Sequence, residues 1–264
     1  MQLRAFDELA ATYDGSFTDT VYGRTLREFV WARFEPTFRT SCHILELGCG
    51  TGEDAVHLAG AGKRVVATDV SPRMIRIAIQ KARGARGEEL LEFHCVPMEA
   101  LASSIEGQMF DGVLSNFGAV NCAPDLPALV LDIAARLEPG APLLWVIMGR
   151  HVPWEWVWYL ARGQWRKAWR RLRRGGIQWR GMTVSYPTPR QVQELLSPHF
   201  AVRRIAPLGF ALPPSYAAGW LSRSPRALAV LTRIELLAQR CALLASLADH
   251  YIIEAVRLPA ATAA

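Results

Sequence analysis

Cysteine is scarce in this chain and never placed for structural duty. Its five copies, Cys42, Cys49, Cys95, Cys122 and Cys241, are odd in number, and none forms a C-x-x-C pair. A disulfide framework and a metal cluster are disfavoured on that ground, and a reducing cytoplasm is the expected compartment. Charge is sparse too, at 20% against 51% hydrophobic residues, which excludes a disordered chain. Long apolar runs are missing. The most apolar stretch, 227–248, is interrupted by Arg233, Glu235 and Arg240, whereas a membrane span needs about 20 nearly unbroken apolar residues. No apolar run follows Met1, and Asp7 and Glu8 come at once, so no secretory leader is expected. Acid is absent altogether from one segment. Between Glu155 and Glu194 lie Arg162, Arg166, Lys167, Arg170, Arg171, Arg173, Arg174, Arg180 and Arg190, with no Asp or Glu among them. These nine exceed the whole net charge of +6, so the body of the protein is mildly acidic. The basic character belongs to one segment, and nucleic acid is a disfavoured partner because no recognisable RNA module accompanies it.

A chain of 264 residues can bury one sizeable core. Apolar residues at helical spacing predict one or two helices over 6–38. From Cys42 the rhythm changes. Strand-like runs at 43–47, 64–69, 90–95, 110–115 and 142–148 alternate with helical ones at 52–61, 72–83 and 125–137. Ser71-Pro72 supplies an N-cap and a first-turn proline to the second of these helices. Such alternation defines an α/β fold with a parallel sheet and helices on both faces. Beyond Met148 it breaks. The spacing predicts an amphipathic helix over 151–176, a segment 177–186, a helix over 188–196, and a sixth strand over 200–208. A mostly helical stretch at 213–247 and a last strand over 250–257 follow. The two helical insertions sit near the carboxyl ends of strands, where ligands bind in open α/β sheets.

The sharpest motif is Glu46-Leu-Gly48-Cys-Gly50-Thr-Gly52, between a strand and a helix. Glycines there let the backbone turn tightly and approach a ligand without a Cβ in the way. The dinucleotide fingerprint is G-x-G-x-x-G, whereas the spacing here is G-x-G-x-G, and Glu46 would repel a pyrophosphate. A ligand carrying an amino group would suit it. Asp69 stands at the tip of the second strand, 17 residues past Gly52, placed to accept both hydroxyls of a ribose.

Taken together, Glu46–Gly52, Asp69 with Ser71-Pro72, and Phe110-Asp111 resemble the core of class I S-adenosylmethionine-dependent methyltransferases. The opening Phe6-Asp-x-x-Ala10-x-x-Tyr13-Asp14 is similar to the small-molecule branch of that family. The resemblance covers roughly residues 6–150. It implies a Rossmann-like, seven-stranded, mostly parallel sheet whose last strand is antiparallel and lies beside the sixth. It also implies S-adenosylmethionine as cofactor. Carried over by motif, Gly48, Cys49 and Gly50 line the methionine part, with Glu46 behind it near the amino group. Asp69 holds the ribose, Val70 or Ser71 lies beside the adenine, and Met98 covers the adenine face. Asn116 closes the pocket floor and Tyr13 folds over the cofactor. The family often has an Asp two residues before the acid of the third loop. Pro97 stands there, so Glu99 or a backbone carbonyl would take over the adenine amino group. The expected organisation is one domain, with core 40–150 and 188–258, an N-terminal helical lid 1–39, and cap insertions 151–187 and 211–248.

For the acceptor, Ser115-Asn-Phe-Gly-Ala-Val-Asn121 stands where an Asn-Pro-Pro-Tyr-like sequence would mark amide or amino N-methylation of nucleic acid or glutamine. His151, just past the fifth strand, is the candidate general base, since histidine titrates near neutrality. Six of the nine tryptophans fall within 154–179 among the arginines. Two readings of this segment stay open beside a bland packed helix. It is a lid over a small, apolar acceptor, or a cationic face laid on an anionic membrane surface to serve a lipid-like or quinone-like acceptor. A non-catalytic binding module with the same fold is a third possibility for the whole chain.

Overall fold

The computed structural model describes residues 2–105 and 107–259. Two helices, α1 (Gln2–Tyr13) and α2 (Val21–Thr37), precede the sheet. Then come β1 (His43–Leu47), α3 (Glu53–Gly60), β2 (Arg64–Asp69), α4 (Pro72–Ala82), β3 (Leu91–Cys95), the single turn α5 (Leu101–Ser104), β4 (Gly112–Ser115), α6 (Leu126–Arg136) and β5 (Pro142–Met148). An insertion follows, made of α7 (Pro153–Leu160), α8 (Trp165–Ala168) and the hairpin β6 (Ile177–Trp179) with β7 (Met182–Val184). The chain closes with α9 (Pro189–Leu196), β8 (Phe200–Leu208), α10 (Pro225–Ala238) and β9 (His250–Arg257).

Seven strands form one sheet in the order β3-β2-β1-β4-β5-β9-β8. β1 to β5 are mutually parallel, and β9 runs antiparallel between β5 and β8. The expected Rossmann-like sheet and its antiparallel last strand are therefore present. Successive residues of each strand feed opposite faces, which gives two cores. Leu45, Leu47, Val113, Trp145 and Ile253 pack towards α6 and α9, while Ile44, Val65, Leu114, Leu144 and Ile252 pack towards α2 and α3. The chain turns one way from β1 to β2 and β3, and the other way to β4 and β5. That reversal opens a crevice at the carboxyl ends of β1 and β4.

Two expected helices come out differently. The run 151–176 is not one helix, because Gly163 takes a left-handed φ of 68° and ends α7 in a tight turn. Gly175 and Gly176, also at positive φ, then launch the hairpin. Its tip, Arg180-Gly181, has φ of 48° and 86°, the backbone of a two-residue turn suited to the strand twist. The second insertion is helical only at α10 and in short 3₁₀ turns such as Ala242–Leu247.

One buried ion pair ties the leading helices to the sheet. Arg27 of α2 donates to Asp54 of α3 at 2.6 Å, with both side chains almost fully enclosed. Trp31 Nε1 donates to the same carboxylate at 2.7 Å, and Asn116 Nδ2, just past β4, at 2.9 Å. Removing one partner of such a pair leaves a buried charge uncompensated, at a cost of about 3–5 kcal/mol. Asp54→Ala is therefore expected to lower unfolding stability by that amount in denaturant titrations. A loss within about 1 kcal/mol would show that the network is incidental.

Candidate functional site

The crevice holds a cavity of about 380 Å³. One side is the glycine loop. Gly48 and Gly50 line it at φ of 69° and 53°. A side chain at Gly48 would collide with Ala119, whereas nothing lies within 4 Å of a Cβ built on Gly50. Gly50 thus presents bare backbone to open space, a cradle that a Cβ would partly fill.

Asp69 closes this side. Its Oδ2 accepts from Gly50 N at 2.9 Å and its Oδ1 from Ser71 N at 2.8 Å. Each oxygen keeps a further acceptor site for a ligand. Burial pushes its carboxyl up to about 6, and the backbone donors at Ser71 and Gly50 offset this only in part. Val70, Met98, Glu99, Asn116 and Tyr13 also line the cavity. Asn116 Oδ1 accepts from Phe117 N while its amide holds Asp54, which fixes the floor. Burial pushes the Tyr13 hydroxyl up to about 12, so it stays protonated.

Three of the expected residues lie behind the wall. Glu46 is 1% exposed, beneath the loop, and its Oε2 has no hydrogen-bond partner. Burial, then the neighbouring Asp54, holds its carboxyl well above the usual range, and Arg27 only partly counters this. Cys49 is buried, and burial raises its thiol as well. Ser71 caps α4 by accepting from Met74 N, and its hydroxyl donates to Asp7 of α1. Under the loop, Glu46, Asp54 and Asp69 thus lie near one cation among the described residues, Arg27. Asp54 is paired with Arg27, and burial opposes ionisation of the other two, so a cation brought beside them would favour their charged forms.

α1 roofs the site. Asp14 accepts from Thr51 Oγ1 at 2.6 Å and pairs with Lys81 at 2.9 Å, which pins the end of α1 to the loop. Across the cavity stand residues of the insertion: Arg170, Ile177, Trp179, Met182, Val184 and Tyr186. Met182 and Val184 form a small apolar core with Phe6, Cys122, Met148, Trp179 and Tyr186. Phe6 and Trp179 meet at 5.8 Å between ring centroids, and Glu8 pairs with Arg180, so α1 and the hairpin touch.

His151 is not on the cavity wall. It packs edge-on against Trp156, with centroids 6.5 Å apart. The tryptophans expected to cover the acceptor are not there either, since Trp165 is 69% and Trp169 44% exposed. Cover comes from the hairpin, and its signals in the sequence were Gly175-Gly176, Arg180-Gly181 and the alternation on either side. The arginines are also partly committed. Arg170 and Arg171 both pair with Glu155 of α7, at 2.7 and 2.8 Å, and Arg171 pairs with Asp249 at 2.7 Å. Arg162 stacks on Trp158.

Residues 44–140 match the family described as a methyltransferase domain. The chain is 27% identical over 129 residues to a ubiquinone biosynthesis O-methyltransferase of Xanthomonas axonopodis pv. citri, covering 47% of this chain and 48% of the relative. It is 44% identical over 114 residues to a magnesium-protoporphyrin O-methyltransferase of Rhodobacter capsulatus, covering 42% and 48%. The chain spans about half the length of these relatives. Among solved structures it resembles the N-methyltransferase NodS of Bradyrhizobium japonicum in complex with S-adenosylhomocysteine. The TM-score is 0.57 at 14% identity, over 97% of this chain and 98% of that one, which is a likeness of fold. Residues 44–140 thus carry a methyltransferase domain, set in a fold shared with a solved methyltransferase bound to S-adenosylhomocysteine.

The raised Asp69 sets a pH dependence. Its ionised form is the better acceptor for ligand hydroxyls, so if Asp69 holds the cofactor, affinity should be full above about 6 and fall as pH drops below it. The limiting slope is about tenfold per pH unit. Calorimetric titration with S-adenosylmethionine between about pH 8 and 5 checks this against an Asp69→Asn variant, whose profile should be flatter. Identical profiles would detach Asp69 from the ligand.

Proposed function

We propose that the chain transfers the methyl group of S-adenosylmethionine to a small, largely apolar organic acceptor by direct in-line displacement. The observation that carries this reading is the single cavity with two unlike sides, one acidic and glycine-lined, the other apolar. In this reading Gly48 and Gly50 take the methionine part, and Glu46 stands behind them near its amino group. Asp69 takes the ribose, Val70 and Met98 flank the adenine, Glu99 lies near its amino group, and Tyr13 covers the whole. When bound, the cofactor supplies a methyl group already activated on a positively charged sulfur. The protein's share is to bind, orient and exclude water, and positioning alone supplies several kcal/mol of acceleration. Phe6, Met148, Trp179, Met182 and Val184 do the excluding. His151 lies off the wall, so no base role follows from its position. The names of the relatives specify acceptors from ubiquinone biosynthesis and a porphyrin, which are small molecules.

Calorimetry and product detection test this. Asp69→Ala removes two charge-assisted bonds of roughly 1.5–3 kcal/mol each, so affinity for S-adenosylmethionine should fall at least about tenfold after relaxation. His151→Ala should keep turnover within about twofold, whereas loss of about a hundredfold would return it to the role of base. Unchanged cofactor affinity in a folded Asp69→Ala protein would sink the ribose assignment.

A second reading, contact with an anionic membrane surface, is favoured by the exposed Trp165, Val157 and Leu160, which share their segment with Arg166, Lys167, Arg173 and Arg174. Each basic residue near such a surface contributes about 1 kcal/mol. Flotation with anionic but not neutral vesicles, weakened by salt and by Arg166→Glu with Arg174→Glu, is the expected result. Arg171 is buried between Glu155 and Asp249, and Arg170 is held by Glu155 at the cavity wall, so neither belongs to such a contact. Equal flotation with neutral vesicles, or none, would remove this reading.

A further inference from the structure

The apolar side of the cavity contains one cation, the Arg170 guanidinium, among the described residues that line it. It is firmly held. Its Nε and Nη2 donate to Glu155 at 2.7 and 3.3 Å, and Glu155 is 1% exposed at the start of α7. Glu155 also accepts from Arg171 Nε at 2.8 Å and from Tyr216 at 3.0 Å, and Arg171 continues to Asp249. Two cations thus balance two carboxylates, and Arg170 is fixed in place without having to neutralise surplus acid. Its Nη1 makes no hydrogen bond among the described residues, and a third of the side chain remains open. A donor in that state, on an apolar wall, suits an anion.

The same side offers nothing to take a proton near neutrality among the described residues lining it. Burial pushes the Cys122 thiol up to about 11 and raises the Tyr186 phenol. A phenol or an ammonium would arrive protonated and find no acceptor for its proton. A carboxylic acid, with an ordinary value near 4, arrives already ionised.

We propose that the acceptor is an apolar carboxylic acid, that Arg170 Nη1 holds its carboxylate, and that the product is the methyl ester. This rests on the methyltransferase reading above. A lone pair of one carboxylate oxygen forms the new O–CH₃ bond. The S–CH₃ bond breaks with its electron pair left on sulfur, and no proton moves. Sulfonium and carboxylate charges disappear together, a change that a poorly polar cavity favours because it solvates the two charged reactants less well than water does. The neutral ester then loses its charge-assisted hold on Arg170, which speeds its release.

The test uses the full chain saturated with S-adenosylhomocysteine, titrated by calorimetry with cinnamate, 2-naphthoate and decanoate, each beside its primary amide. At least one acid should bind about tenfold or more tightly than its amide. With S-adenosylmethionine in place of the homocysteine product, that acid should give an ester heavier by one CH₂ in mass spectra. Arg170→Met should bring the acid-to-amide ratio to within about twofold, and Arg170→Lys should keep part of it, with cofactor affinity unchanged in both. Glu155 keeps Arg171 and Tyr216 in these variants, and the wild-type ratio stands without either of them. No acid bound, equal binding of acid and amide by the wild type, or an undiminished ratio in Arg170→Met would overturn the inference. A wild type that binds neither S-adenosylmethionine nor its product fails the methyltransferase reading instead.

Discussion

Asp54 is a carboxylate that cannot reach water, and much of the molecule is arranged to satisfy it. Burying an isolated charge is prohibitive, so donors have to converge on it. Arg27 and Trp31 come from α2, and Asn116 comes from the end of β4. The consequences spread outwards from that point. Asn116 is held as the floor of the cavity, and Phe117 follows it at the uncommon φ of 45°. The Phe117 ring lies under the Arg27 guanidinium, 4.9 Å from its centroid, with Phe17 edge-on at 5.0 Å. The helices that precede the sheet are thus registered to the cavity by a polar network, which tolerates fewer alternative arrangements than apolar packing does.

The insertion repeats the device with its own buried acid. Glu155 is the last acidic residue before the basic segment, and it gathers Arg170, Arg171 and Tyr216 around it. Burial opposes ionisation of Asp249, yet Arg171 and His250 outweigh it and keep that carboxyl well below the usual range. Charge that looks like a surface property in the sequence is in part internal. It fastens a broken helix and a hairpin to the end of β5, through the bond from Arg171 to the carbonyl of Gly149.

The sheet was legible because β1, β2, β4 and β5 are short buried runs separated by glycine and helix caps, and such patterns depend on local chemistry. Glu46 to Gly52 and Asp69 were legible for a related reason. A strand tip, a left-handed turn and a capped helix leave those residue types few other uses. The helix over 151–176 misled because Trp154, Trp158, Trp165 and Trp169 satisfy helical spacing whether or not the backbone is continuous. Gly163 breaks the path between them, and Trp165 ends in solvent. Position along the chain was equally blind for His151. Nearness to the end of β5 does not fix where a ring points, and it lies beside Trp156 instead. The pairing of Arg27 with Asp54 joins residues 27 positions apart on two helices, and no local pattern announces it.

The contact between α1 and the hairpin has a thermodynamic meaning. Tyr13 of α1 stands over the glycine-loop side, and Trp179 of the hairpin walls the other side. Phe6 against Trp179 and Glu8 against Arg180 join the two covers directly. Ligand binding that orders one cover lowers the entropy that remains to be lost by the other. On the proposed two-substrate reading, occupancy on one side would then be felt on the other, and any such coupling would by linkage be the same in both directions. The edge where α1 meets the hairpin is the contact through which it would pass.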